Sequence, residues 1–234
     1  MPRRLVLFDI DGTLITDRGA AREAYDTAIR EVYGYSGDLH RYDFSGRTDP
    51  QITHMVLGAA GLSDDEIDTC LPRLWEIYLA NLARNATPDR VQTLPGIADL
   101  VDELSGRSDV LLALLTGNIE PGARLKLAAA DLNRYFPFGA FGSDSPRRED
   151  LPPIAVERAS AFDRHRFSGR NVVIIGDTIY DIRCGTPYGA TTIAIASGKT
   201  AADTLLAENP HHFFSSAADR GGLLAAILGH DESS

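Results

Sequence analysis

The sequence predicts an α/β fold: a doubly wound, Rossmann-like parallel sheet carrying an inserted, smaller α-helical cap domain. Three observations support this. Short, almost wholly apolar runs recur along the chain, as expected of strands covered on both faces. Longer segments with apolar residues at helical spacing lie between them, and strands alternating with helices imply right-handed crossovers in one parallel sheet. One long stretch after the first run breaks the alternation and reads as helix throughout.

The strand candidates are Leu5-Val6-Leu7-Phe8, Val110 to Leu115, Val172-Val173-Ile174-Ile175 and Thr191 to Ile195. Ile97-Leu100-Val101-Leu104, Leu125 to Ala130 and Ile154 to Phe162 repeat at helical spacing. Pro121 and Pro153 stand where a first helical turn tolerates proline. In the interrupting stretch, Ala21-Ala24-Tyr25-Ala28-Ile29-Val32 makes one apolar helical face. Asp49 is expected to cap a second helix with Pro50 in its first turn, and that helix stops at Gly61. Ser63 and Glu66 form the capping-box pattern of a third, which Pro72 is expected to kink or split. The domain expectation is therefore a catalytic core of residues 1–15 and 93–234, with a helical cap of residues 16–92.

Composition narrows the function. The chain has 234 residues, is 44% hydrophobic and carries a formal net charge of −10. That balance argues against a nucleic-acid surface, and an anionic substrate would need a local cluster of cations. Apolar runs as short as Val110 to Leu115 cannot span a bilayer. The two cysteines, Cys70 and Cys184, read as reduced thiols of a cytoplasmic protein.

Polar clusters follow three of the strands immediately: Asp9-Ile10-Asp11-Gly12-Thr13, Thr116-Gly117-Asn118, and Gly176-Asp177-Thr178-Ile179-Tyr180-Asp181. In a parallel sheet all three fall on the carboxyl edge, where such folds bind ligands. Carboxylates crowded there repel one another and need a cation; a hard divalent ion with oxygen ligands suits them. Each cluster alone could be an ordinary turn. Their order, each on a strand end, makes the joint pattern specific.

With Asp9-x-Asp11-Gly12-Thr13 and Gly176-Asp177-x-x-x-Asp181, the chain resembles the haloacid dehalogenase-like hydrolase superfamily. The likeness is to its phosphatase branch with a helical cap of the phosphoglycolate-phosphatase kind. The resemblance implies a magnesium-dependent phosphatase acting on a small phosphorylated metabolite, as monomer or homodimer, with no nucleic-acid or membrane partner. It also implies the roles. Asp9 attacks phosphorus to form an aspartyl phosphate, and Asp11 is the acid/base. Asp9, Asp11 (through its backbone carbonyl), Asp177 and Asp181 hold Mg2+. Thr116, Gly117 and Asn118 bind the phosphoryl group.

The family usually supplies a lysine before the last of these strands. This chain has two lysines, Lys126 and Lys199, and neither fits that position. Arg147-Arg148 occupies it, with Arg148 as first choice and Arg147 as the alternative; guanidinium stays charged and can clamp two oxygens. Within Ser45-Gly46-Arg47-Thr48-Asp49, Arg47 is the candidate for a second anionic group of the substrate. A phosphomutase on the same scaffold and a non-catalytic phosphate-binding module are the alternatives. Dehalogenation does not need Asp11, and phosphonate cleavage needs a cap lysine that is absent. Gly198-Lys199-Thr200 looks like the end of a P-loop, but Ile193 stands where its first glycine belongs.

Overall fold

The computed structural model describes residues 3–229. In chain order its elements are β1 (Arg4–Phe8), β2 (Ile15–Thr16), α1 (Ala20–Tyr33), α2 (Asp49–Ala59), α3 (Asp64–Asn85), β3 (Gln92–Thr93) and α4 (Ile97–Ser105). These are followed by β4 (Val110–Leu115), α5 (Glu120–Ala129), β5 (Gly139–Ala140), α6 (Leu151–Asp163), β6 (Val172–Gly176) and α7 (Ile179–Gly185). The chain then forms β7 (Thr191–Ile195), α8 (Ala202–Ala207), β8 (His212–Phe214) and α9 (Arg220–Leu228).

Six strands form one parallel sheet in the order β5-β4-β1-β6-β7-β8. Strand side chains alternate between faces, and that alternation sorts the core. Val6, Phe8, Leu112, Leu114, Val173 and Ile175 pack on one face with residues of α4, α5 and α9. Leu5, Leu7, Leu111, Ala113, Leu115, Val172 and Ile174 pack on the other with α6. Both faces are covered, which is why these strands read as unbroken apolar runs. From β1 the sheet grows one way to β4 and β5, then returns past β1 to β6, β7 and β8. The order therefore reverses beside β1, so a crevice opens at the carboxyl end of β1.

Helices α1, α2 and α3 share a core of their own, with Ala24, Ala28, Ile29, Val56, Leu57, Ile67, Leu74 and Tyr78. The two chain passages joining this helical unit to the sheet lie side by side as a small antiparallel ribbon, Ile15 opposite Thr93 and Thr16 opposite Gln92. The ribbon strands are two residues each, too short for a periodic signal, and the sequence reading missed them.

One local expectation is corrected and another is narrowed. Thr48, not Asp49, is the N-cap of α2: its hydroxyl accepts from the Gln51 amide at 3.2 Å, with Asp49 one position inside the helix. A hydroxyl caps as well as a carboxylate, which leaves the Asp49 carboxylate to face the core. Pro72 does not split α3, which runs unbroken from Asp64 to Asn85. Proline removes one backbone bond, to Asp68, but Ile67 on one side and Leu74, Tyr78 and Leu82 on the other are buried and anchor both halves of the helix. The Ser63–Glu66 capping box forms in full.

Candidate active site

Asp9 directly follows β1, and its backbone amide donates to the Ile175 carbonyl at 3.0 Å, so the carboxyl ends of β1 and β6 are level. Asp9, Asp177 and Asp181 are all buried there, and each offers a carboxylate oxygen within 4.8 Å of the others. Asp181 is held by the start of α7: its Oδ2 accepts from the Thr178 amide at 3.0 Å and hydroxyl at 2.7 Å. Asp177 accepts from the Thr13 hydroxyl at 3.1 Å. Gly12 has φ 83°, and a Cβ built there would stand 2.5 Å from Asp177 Oδ2. Only glycine lets the Asp9–Thr13 loop pass so close to that carboxylate.

Arg148 lies in a short 3-10 turn, Arg148–Asp150, just before α6. Its side chain is 4% exposed, and one terminal nitrogen donates to Asp9 Oδ1 at 3.0 Å and to Asp181 Oδ1 at 2.5 Å. The other donates to the Gly46 carbonyl at 3.2 Å. Arg147 instead pairs with Asp150 at 2.9 Å, 68% exposed. Between the two arginines, the structure brings Arg148 to the carboxylates.

The electrostatics are those of a site short of positive charge. Burial pushes the Asp9 carboxyl up to about 7; Arg148 opposes this, while Asp181 and Asp11 add to it. Burial and the charges of Asp9 and Asp181 also raise Asp177 well above the usual carboxylate range. Three buried carboxylates with one guanidinium are under-neutralised, and their all-oxygen donor set suits a hard divalent ion such as magnesium.

Asp11 does not join that group through its side chain. Its carboxylate turns the other way, to Lys126 Nζ at 2.7 and 2.9 Å and to Asn118 Nδ2 at 2.8 Å. Asn118 also donates to the Thr116 hydroxyl at 2.8 Å and accepts from Lys126 at 2.7 Å. Thr116, Asn118 and Lys126 are buried, whereas the Asp11 side chain is 42% exposed. Lys126 is therefore a site residue that the sequence reading set aside. A signal existed: Gly122, Ala123, Lys126 and Leu127 share the buried face of α5, so the wheel turns Lys126 inward, under the Thr116–Asn118 loop.

The segment before α2 is docked on these loops. The Asp49 amide donates to the Gly117 carbonyl, and Asp49 Oδ2 accepts from the Ile119 amide, both at 2.8 Å. The Thr48 hydroxyl donates to the Pro146 carbonyl at 2.7 Å. Gly117 permits this approach, since a Cβ there would lie 2.1 Å from the Arg47 carbonyl oxygen. Arg47 itself lies over the Tyr180 ring, 5.4 Å from its centroid, and its buried Nε has no hydrogen-bond partner among the described residues. Burial raises the Asp49 carboxyl to about 6 against the pull of Lys126 and the Ile119 amide.

Between the helical unit and the sheet edge lies a cavity of about 460 Å3. Asp9, Asp11, Asp177 and Arg148 line one side, and Tyr25, Phe44, Arg47 and Tyr78 line the side formed by the helical unit. Cys184 is buried with its thiol pushed up to about 12 by burial, an inert structural thiol. His211 is tied to Thr192, accepting from its amide at 3.0 Å. No described helix is long and apolar enough to cross a membrane.

Known proteins share this fold. The chain is 23% identical to the probable phosphatase IndB of Dickeya dadantii over 228 residues, covering 96% of this chain and 94% of that one. It superimposes with a TM-score of 0.71 on a protein described as a predicted phosphoglycolate phosphatase from Haemophilus somnus, at 16% identity, covering 95% and 98% of the two chains. CbbY of Rhodobacter sphaeroides, solved in complex with phosphate, aligns with a TM-score of 0.68 at 18% identity, covering 94% and 96%. The model of the haloacid dehalogenase-like hydrolases matches residues 6–186, more than half of the chain and every strand-end cluster described above, and the chain belongs to that family.

Proposed function

We propose that the chain is a phosphatase that hydrolyses a phosphate monoester of a small metabolite through an aspartyl phosphate on Asp9. The observation that carries this reading is the position of Arg148, shared between Asp9 and Asp181 in the wall of a cavity that Asp11 also lines. A carboxylate attacks a phosphate dianion only where cations screen the approach and stabilise charge on the equatorial oxygens. Arg148 supplies one such cation. Asp9, Asp177 and Asp181 would hold magnesium, which when bound neutralises the carboxylates and polarises the phosphoryl group.

The steps then follow from the residues. An Asp9 carboxylate oxygen bonds to phosphorus as the bond from phosphorus to the leaving oxygen breaks, and Asp11 gives its proton to that oxygen. In the second step Asp11 takes a proton from water as the water oxygen bonds to phosphorus and Asp9 is released. Thr116 and Asn118, on the β4 end, are the phosphoryl-binding residues. Residues 16–92 act as the cap that excludes bulk water, with Gly46–Asp49 bound against the β4 loop. Arg47 is the residue placed to meet a second anionic group.

Turnover of p-nitrophenyl phosphate and of a panel of phosphorylated metabolites, each with magnesium and with chelator, tests this reading. It expects magnesium-dependent release of inorganic phosphate from at least one small monoester. Full turnover in chelator, or transfer of phosphate between positions of a sugar without release, would contradict it.

A further inference from the structure

Lys126 is not needed by the mechanism just given, yet it is one of the most deeply placed charges of the site. Its side chain is 4% exposed and its ammonium spans both oxygens of Asp11 and the Asn118 amide oxygen. Arg148, by contrast, reaches Asp9 and Asp181. The site thus has two buried cations with separate partners, one on the nucleophile side and one on the acid/base side. Burial alone would drive Lys126 towards its neutral form; Asp11, with Tyr78, Asp17 and Asp49 beyond it, outweighs that and holds it charged. A buried ammonium aimed at one carboxylate is expensive to keep and gains its effect only where charge builds on that carboxylate.

Such a moment exists in the reaction. As Asp11 passes its proton to the leaving oxygen, negative charge develops on the Asp11 carboxyl group. Lys126 and Asn118 already stand where that charge appears, with their donors in place. We propose that Lys126 is a positioning residue that fixes the orientation of Asp11 and stabilises the carboxylate left after proton transfer, so that it selects for substrates whose leaving group needs a proton. The inference rests on the reading of Asp11 as the acid/base. Atoms balance as before: the proton travels from Asp11 to the leaving oxygen, and Lys126 keeps all of its own.

The test compares an alkyl phosphate, whose alkoxide must be protonated to leave, with p-nitrophenyl phosphate, whose phenolate leaves without help. Wild type, Lys126→Met, Asp11→Asn and the double variant are assayed on both at saturating magnesium. Lys126→Met should lower kcat for the alkyl phosphate by roughly 10- to 100-fold, the scale of losing a charge-assisted hydrogen bond. Its kcat for the first step with p-nitrophenyl phosphate, read from the rapid-mixing burst, should change by less than about threefold on that same scale, with KM for both nearly unchanged. Because Lys126 acts through Asp11, adding Lys126→Met to Asp11→Asn should cost nothing further with the alkyl phosphate.

Equal losses on both substrates, or losses that add in the double variant, would overturn the proposal and leave Lys126 a structural charge. An Asp11→Asn variant that failed to distinguish the two substrates would overturn the reading of Asp11 instead. Should Lys126→Met not fold, Lys126→Gln, which keeps a donor without the charge, takes its place in the same comparison.

Discussion

Replacing Arg148 by methionine would remove the guanidinium that donates to both Asp9 and Asp181 while leaving the carboxylates where they are. The pairs are deeply buried, with side-chain exposures of 4% for Arg148, 7% for Asp9 and 2% for Asp181. Breaking a buried pair by removing one partner costs about 3–5 kcal/mol, because the other charge stays behind unpaired. For a chain of this size each kcal/mol moves Tm by about 2–4 °C, so the metal-free variant should melt roughly 6–20 °C below wild type near pH 8. The sign of the pH dependence is fixed by Asp9. Its folded carboxyl is raised from 3.8 to about 7 by burial even with Arg148 opposing. A carboxyl raised on folding binds more protons in the folded state, so its unfavourable contribution is absent at pH 4 and complete above pH 7. Without Arg148 that rise is larger. The Tm deficit should therefore be large at pH 8 and small at pH 5. Scanning calorimetry in chelator at both values measures it, with Arg148→Lys recovering part of the loss by restoring charge without the fork. A deficit under about 2 °C at pH 8, less than one kcal/mol on that scale, or one greater at pH 5, would refute the reasoning.

Two further outcomes follow from residues of the helical unit. Asp49→Asn keeps an oxygen to accept from the Ile119 amide but removes a carboxyl raised from 3.8 to about 6. It should leave stability unchanged near pH 4 and increase it by on the order of 2 kcal/mol above pH 6; urea midpoints at pH 4.5 and 7.5 check this, and a loss at pH 7.5 would contradict it. Arg47→Ala should harm a substrate with a second anionic group by about 1.5–3 kcal/mol more than p-nitrophenyl phosphate. Equal effects on kcat/KM for both would confine Arg47 to a structural role.

Much of this was legible in the sequence because burial on both faces leaves so clear a mark. β1, β4, β6 and β7 read as apolar runs, and the polar residues that end β1, β4 and β6 had to share one edge once the sheet was parallel. Arg148 was legible through the resemblance, because Arg147-Arg148 stands where the family usually carries a lysine. β5, a two-residue strand, carries no periodic signal, and its place beside β4 depends on a tertiary pairing, Leu114 with Gly139. Lys126 was obscured by its neighbours. Leu125, Leu127 and the alanines make α5 look like an ordinary amphipathic helix, and only the wheel position of the lysine points inward. Asp49 shows the opposite error. Asp-Pro is a strong helix-start signal, and nothing local distinguishes it from Thr48 as the cap. The difference arises from the Ile119 amide, seventy positions away in sequence, which offers the Asp49 carboxylate a partner.

The central claim is that Asp9 carries the phosphoryl group, and Asp11→Asn offers the most direct way to see it. p-Nitrophenolate leaves without protonation, so the first step should survive in part, while the second step, which needs a base for water, should stall. Because that substitution leaves the backbone at position 11 unaltered, magnesium binding, measured separately, should be retained. Rapid mixing with p-nitrophenyl phosphate should then give a burst of p-nitrophenol approaching one equivalent per chain. The phosphate left on the protein should resist acid, yield to hydroxylamine and map by peptide mass spectrometry to Asp9. Turnover of alkyl and aryl phosphates at the wild-type rate by Asp11→Asn, or a trapped phosphate on any residue other than Asp9, would contradict the account.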